Sequence, residues 1–187
     1  MAVINWLLQR RLKNRIADLR PQLYRTAYAW CHDPARADDL VHEALVKAIS
    51  RLRSLQDEDA LKPWLFRIMT NCHRDWLRRQ KDTVDVYEAE LPCEDCPEMN
   101  AERAATVKSV REAVRGLSDD QRKVLTLVDL EGFSYGEVAG ILELPIGTVM
   151  SRLSRARQQL KRELLRNERK AGAATSLKLV RNQHENG

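Results

Sequence analysis

None of the seven glycines falls before Gly116, and the first 80 residues contain only Pro21, Pro34 and Pro63. With so few breakers, long helices can run between those prolines. The apolar residues follow the same rule. They recur at Leu19, Leu23, Ala27 and Trp30, at Leu40, Val41, Ala44, Leu45, Ala48 and Leu52, and at Trp64, Leu65, Ile68, Met69, Cys72, Trp76 and Leu77. Steps of three and four place residues on one helix face, and no segment alternates with period two. The spacing therefore predicts an all-α bundle over 1–80, with breaks near His32–Arg36 and Leu55–Pro63.

Residues 81–103 lose this periodicity and carry Pro92 and Pro97, a linker composition. Helical spacing resumes at Ala104, Val107, Val110 and Val114, with Gly116 as the stop and Ser118 as the next N-cap. A second helical domain is expected over 104–168, followed by a polar, disordered tail over 169–187. The net charge of +5 divides along these boundaries. Residues 1–80 hold 15 Lys/Arg against 9 Asp/Glu, 81–105 hold 2 against 8, and 106–187 hold 15 against 10. Two basic bodies suit a polyanion, and the acidic connector is expected to screen them in the free protein. No apolar run reaches the ~18–20 residues of a membrane span. The apolar start, Met1 to Leu8, is too short for a signal-peptide core and is followed, not preceded, by its charge, so a cytoplasmic protein is expected.

Ser134–Leu164 is the most informative stretch. Ser134-Tyr-Gly-Glu137 has the form of a capping box opening a helix with Val138, Ala139, Ile141 and Leu142. Glu143-Leu144-Pro145 ends it. Thr148 is the expected N-cap of the following helix, with a start at Ile146 as the alternative. That helix carries an apolar stripe, Val149, Leu153, Ala156, Leu160 and Leu164. Ser151, Arg152, Arg155, Gln158, Gln159 and Arg162 lie off it. An apolar-backed helix after a tight turn, with hydroxyl and arginine near its start, is what a major-groove reader requires.

In the first half, Asp39 and Glu43 are four apart and share an exposed helix face. Trp64-Leu-Phe-Arg-Ile-Met-Thr-Asn71 and Arg74, Trp76, Arg78 and Arg79 interleave aromatic rings with arginine and asparagine, which suits single-stranded nucleic acid. For Trp76 a core position is the better expectation. These pieces, with Ala37-Asp-Asp-Leu-Val-His-Glu43, Asp75-Trp-Leu-Arg-Arg79 and Gly147-Thr-Val-Met-Ser-Arg-Leu153-Ser-Arg-Ala-Arg157, resemble the bacterial RNA polymerase sigma factors of the extracytoplasmic-function group. The match spans residues 19–80, the family's region two, and 106–165, its region four.

The resemblance implies that the chain binds core RNA polymerase and directs promoter-specific initiation. Asp38, Asp39, Leu40, His42, Glu43 and Lys47 would dock on core polymerase. Trp64, Arg67, Asn71, Arg74, Arg78 and Arg79 would open and read the −10 element, with the Leu55–Pro63 loop capturing an unstacked base. Thr148, Ser151, Arg152, Arg155, Arg157 and Lys161 would read the −35 element as duplex. An anti-sigma factor is an implied further partner, one that often holds such proteins at the membrane. The chain departs from the family pattern at His42, commonly glutamine, at Glu143, often glycine, and at Met150, usually lysine.

Cys93-Glu-Asp-Cys96 is a lone CxxC in the linker, a candidate zinc pair only with a further ligand, and Cys31 and Cys72 fall at apolar helical positions. No phosphate loop, nucleophile elbow or HExxH is present, so neither an enzyme nor a cofactor is expected. The alternatives are a helix-turn-helix regulator with a sensory or interaction domain over 1–80, and a metal- or redox-responsive adaptor built on Cys93 and Cys96.

Overall fold

The structure, a computed structural model, describes the backbone of residues 2–55, 57–82 and 101–184, and side chains within 9–55, 57–80 and 106–167. The first half contains α1 (Ala2–Asp18), α2 (Arg20–Cys31), α3 (Pro34–Ser50), a 3-10 turn at Leu52–Ser54, and α4 (Leu61–Asp82). All three prolines sit in first helical turns, where the missing N–H costs nothing. Asp33 caps α3 by accepting from the Arg36 N–H at 2.7 Å. His32 closes α2 in the left-handed region, with φ 56°. The breaks at His32–Asp33 and before Leu61 match the sequence reading, and the chain breaks once more at Leu19, just ahead of Pro21.

The second half contains α5 (Ala101–Arg115), α6 (Asp119–Leu125), a π-helical turn (Thr126–Leu130), α7 (Tyr135–Leu142) and α8 (Ile146–His184). No strand occurs among the described residues, in agreement with the all-α expectation. Ser118 caps α6 in a full capping box with Gln121. Two expectations are corrected here. Thr148 is not the N-cap of α8: the helix opens at Ile146, and the Thr148 and Val149 N–H groups both donate to the Pro145 carbonyl, at 2.9 and 3.2 Å. Proline has its φ set for this entry, so it starts the helix before threonine is reached. The backbone of α8 also stays helical to His184 where a frayed tail was expected. That segment holds no proline and several good helix formers, and polarity by itself does not end a helix.

The halves share one apolar core. Leu23, Trp30, Leu40, Ala44, Leu65 and Phe66 from the first half are continuous with Leu127, Phe133, Val138 and Ile141 from the second. The Phe66 and Phe133 rings meet edge to face at 5.1 Å, and α4 lies along α7 while α2 lies along α6.

Candidate nucleic-acid interface

The helix-turn-helix is built as its residues dictate. Ser134 Oγ accepts from the Glu137 N–H at 3.3 Å, and Glu137 returns the bond by accepting from the Ser134 N–H at 2.8 Å. The Ser134 hydroxyl, which donates to Glu137 Oε2 at 2.7 Å, and then the Ser134 N–H hold the Glu137 carboxyl below its ordinary range. Val149, Leu153 and Ala156 of α8 are buried against α6 and α7, and Leu160 is half-buried, so the stripe packs as expected. Ile146, Met150, Ser151, Ser154 and Arg155 stay exposed on the first turns of the same helix.

Arg152, Arg155 and Arg157 of that helix differ in what they meet. Arg152 pairs with Asp120 at 2.8 Å. Arg157 grips Asp129 of the π-helical turn with two bonds, at 3.1 and 2.5 Å. Arg155 has no ion pair among the described residues, and neither has exposed Lys161. Ser151 donates to the Thr148 carbonyl at 3.1 Å and remains accessible, while Thr148 is half-buried. The structure therefore leaves Ser151 and Arg155 available together and draws Arg152 and Arg157 toward the carboxylates of α6 and the π-helical turn.

On α4, Trp64, Arg67, Asn71, Arg74 and Arg78 are spaced by three and four and share a face. Arg74 donates to Asn71 Oδ1 at 3.2 Å, Arg78 stands 4.0 Å from Asp75, and Arg79 Nε donates to the Asp75 carbonyl. Trp64 and Trp76 are half-buried. The Trp76 ring carries the Arg36 guanidinium at 4.4 Å and faces His73 at 5.8 Å; it is half-buried outside the apolar core rather than part of it, whereas Trp64 packs against that core. Arg67 and Arg74 are only partly exposed to solvent and both reach Glu143, at 2.5 and 3.5 Å.

On α3, Asp39 and His42 are exposed, Asp38 pairs with Arg20 at 3.0 Å, and Glu43 accepts from Lys47 at 2.8 Å. Leu40 must be removed from the docking set. It is fully buried, because it lies on the Ala37–Ala44 face of α3 that packs into the core, and a buried side chain touches no partner. Val46 and Ile49, absent from that set, are about half exposed and line up with Asp39 and His42 at helical spacing. Two apolar residues off the Leu40–Ala44–Ala48 stripe were the available signal.

The seam between the halves carries residues that no sequence pattern marked. Glu131, its side chain almost wholly buried, accepts from Arg25 at 3.0 Å and from Thr26 Oγ1 at 2.9 Å. Lys62 Nζ lies 3.4 Å from its other oxygen and donates to its carbonyl at 2.9 Å. The Arg122 guanidinium donates to the carbonyls of Trp30, Arg115 and Leu117, at 3.0, 3.0 and 2.7 Å. One cation thus satisfies the C-terminal carbonyls of both α2 and α5.

Burial pushes the Cys31 thiol up to about 12 and raises that of Cys72, so both stay protonated. Cys93 and Cys96, the acidic residues of the connector and its proposed screening role lie outside the described residues. Among those described, no cluster of three metal-ligating side chains occurs, and no helix is long and apolar enough to cross a membrane.

Two family profiles match the chain: Sigma-70 region 2 over residues 15–83 and Sigma-70, region 4 over residues 108–160. An ECF RNA polymerase sigma factor, EcfG of Rhodopseudomonas palustris, is 34% identical over 153 residues, covering 80% of this chain and 82% of its own. The ECF RNA polymerase sigma-E factor of Haemophilus influenzae is 30% identical over 170 residues, covering 84% and 86%. The solved structure of the Bartonella quintana sigma factor RpoE with the anti-sigma factor NepR superposes with a TM-score of 0.68 at 30% identity, covering 82% of this chain and 96% of that one. CnrH in complex with the cytosolic domain of CnrY gives 0.61 at 27% identity, covering 83% and 88%.

Proposed function

The chain belongs to the extracytoplasmic-function RNA polymerase sigma factors, and we propose that it performs that family's task with the residues described above. It binds core RNA polymerase and directs initiation at particular promoters, working in the cytoplasm with no catalysis or cofactor of its own. Region 4 reads the −35 element as duplex. Region 2 reads the −10 element as an opened strand. The observation that carries this reading is the pairing of two different nucleic-acid surfaces in one chain: an α8 whose buried stripe leaves Ser151 and Arg155 outward, and an α4 face of Trp64, Arg67, Asn71 and Arg74. Arginine pairs bidentately with guanine edges, while aromatic and arginine side chains on one face stack bases and hold phosphates. Arg152, Arg157, Lys161, Arg78 and Arg79 then serve phosphate contact around these centres, and Thr148 positions the first turn of α8.

Core polymerase docks on the α3 face of Asp39, His42, Glu43, Val46 and Ile49, with Asp38 and Lys47 at its rim. Carboxylates around exposed apolar side chains give a protein partner both steering and burial. An anti-sigma factor is the second protein partner, as NepR is for the neighbouring Bartonella quintana RpoE, and it would compete for these same surfaces. Charge reversal tests the docking face. Asp39→Lys with Glu43→Lys should weaken capture by purified core polymerase about tenfold or more at low salt, and less at high salt. Undiminished capture would exclude this face.

A further inference from the structure

Helix α7 ends at Leu142, and the next residue, Glu143, turns the chain with φ 58° and ψ 47°. This left-handed conformation favours glycine, because a Cβ crowds the following carbonyl. A glutamate held there is conformationally expensive, so its side chain merits a reason. That side chain reaches across the seam between the halves. One oxygen accepts from Arg67 at 2.5 Å, the other lies 3.5 Å from Arg74, and Arg74 also donates to the Leu142 carbonyl at 3.3 Å. The hydrogen bond and charge of Arg67, aided by Arg74, keep the Glu143 carboxyl below its ordinary range, so it stays an anion.

A carboxylate offers two anionic oxygens to guanidinium groups, much as a phosphodiester does. We propose that Glu143 is a latch that occupies the arginine pair in the free protein, so that a DNA strand must displace it to reach α4. The proposal rests on the reading of Arg67 and Arg74 as strand contacts. The contrast with Glu131 supports it. Glu131 is buried and holds the halves together by packing as well as charge, whereas Glu143 and Arg67 are both about half exposed. An exposed pair is weak and exchanges readily, which a releasable contact requires. The latch also neutralises a carboxylate that would otherwise sit in the turn ahead of the groove-reading helix.

The test uses the full chain and two readouts. Glu143→Gly suits the backbone of the turn better than glutamate does, so loss of folding does not confuse the result. Glu143→Gln removes the charge alone. Phenylglyoxal modification at Arg67 and Arg74, followed by peptide mass spectrometry, reports whether the guanidinium groups are engaged. Affinity for a fluorescein-labelled single-stranded oligonucleotide of randomised sequence reports strand access. Glu112→Gln, an equal charge change at an exposed position of α5, sets the electrostatic background.

Both Glu143 variants should raise modification of the two arginines and strand affinity by roughly three- to tenfold at low salt, with the gain shrinking as salt rises. Unchanged arginine reactivity, or an equal affinity gain from Glu112→Gln, would overturn the latch. Freed arginines with no gain in affinity would overturn the strand-contact assignment on which its function rests.

Discussion

Replacing Trp30 by alanine is expected to cost about 3–5 kcal/mol of stability, the usual range for emptying a buried aromatic site. Trp30 is 2% exposed and lies where α2 meets the second half. Its Nε1–H donates to Thr126 Oγ1 at 2.8 Å, its carbonyl accepts from Arg122, and its ring stands 5.4 Å from that of His73. Alanine leaves a cavity at the seam and removes the bond that the Thr126 hydroxyl accepts, although that hydroxyl still donates to one of the α6 carbonyls. The loss should therefore appear both in urea unfolding and as a more expanded particle in solution scattering.

A milder pair of variants isolates the hydrogen bond. Trp30→Phe and Thr126→Val, measured singly and together, should show a coupling of about 1 kcal/mol. Additive losses would mean that this bond does not join the halves. A Trp30→Ala protein as stable as the parent would contradict the shared core itself.

Acidification should act on the same seam through His73. The ring is buried between Trp30 and Trp76, and burial is the first cause that pushes its pKa down to about 4, with the Lys123 charge next. Asp119, 3.9 Å from Nδ1, opposes the shift, while Arg36 and Arg122 add to it. The folded pKa lies below the unfolded value of about 6.5, so between these values the unfolded chain binds a proton that the folded chain refuses. The stability held by neutral His73 is complete above pH 6.5 and is lost as pH falls toward 4. From pH 7 to pH 5 the loss is about 2 kcal/mol. His32, pushed to about 4 chiefly by burial, adds to it in the same direction. The depressed carboxylates Glu137 and Glu143 lose their contributions as pH falls from the ordinary carboxyl value of about 4.5 toward their lower folded ones.

Neither His73 nitrogen has a hydrogen-bond partner among the described residues, so phenylalanine forfeits no bond there. His73→Phe should change stability by under about 1 kcal/mol at pH 7 and remove most of its share of the acid dependence. Urea midpoints at pH 7 and pH 5 for both proteins make the comparison. The same pH slope in the variant would assign the acid sensitivity elsewhere.

Much of the fold was readable because helix periodicity and caps are local. The 3–4 spacing marks α2, α3 and α4, and Ser134 with Glu137 marks the start of α7. Local rules failed where two rules competed. Pro145 and Thr148 both signal a helix start, and the proline acts first because its φ is already set. Leu40 sat within an acidic motif, yet its helix face, not its neighbours, decided its burial.

The seam was not legible at all. Glu131 and Arg25 are 106 residues apart, as separated as Arg67 and Glu143 are in character from any local pattern. Nothing in the spacing of charges says which Glu will meet which Arg across a shared core. The departure at Glu143 was visible as an acid in a glycine-favoured turn, but the arginines that hold it were not. Likewise Arg152, Arg155 and Arg157 look alike along the helix. The carboxylates of α6 and the π-helical turn distinguish them by engaging two and leaving Arg155 unpaired.

Both halves of this chain together give core polymerase its choice of promoter. Run-off transcription with purified core RNA polymerase on fragmented genomic DNA of the source organism, followed by mapping of start sites, tests it most directly. The expected result is a set of start sites absent with core enzyme alone and sharing two upstream elements, with yield at those sites greatly reduced by Arg155→Ala. Start sites indistinguishable from those of core polymerase alone would contradict the claim.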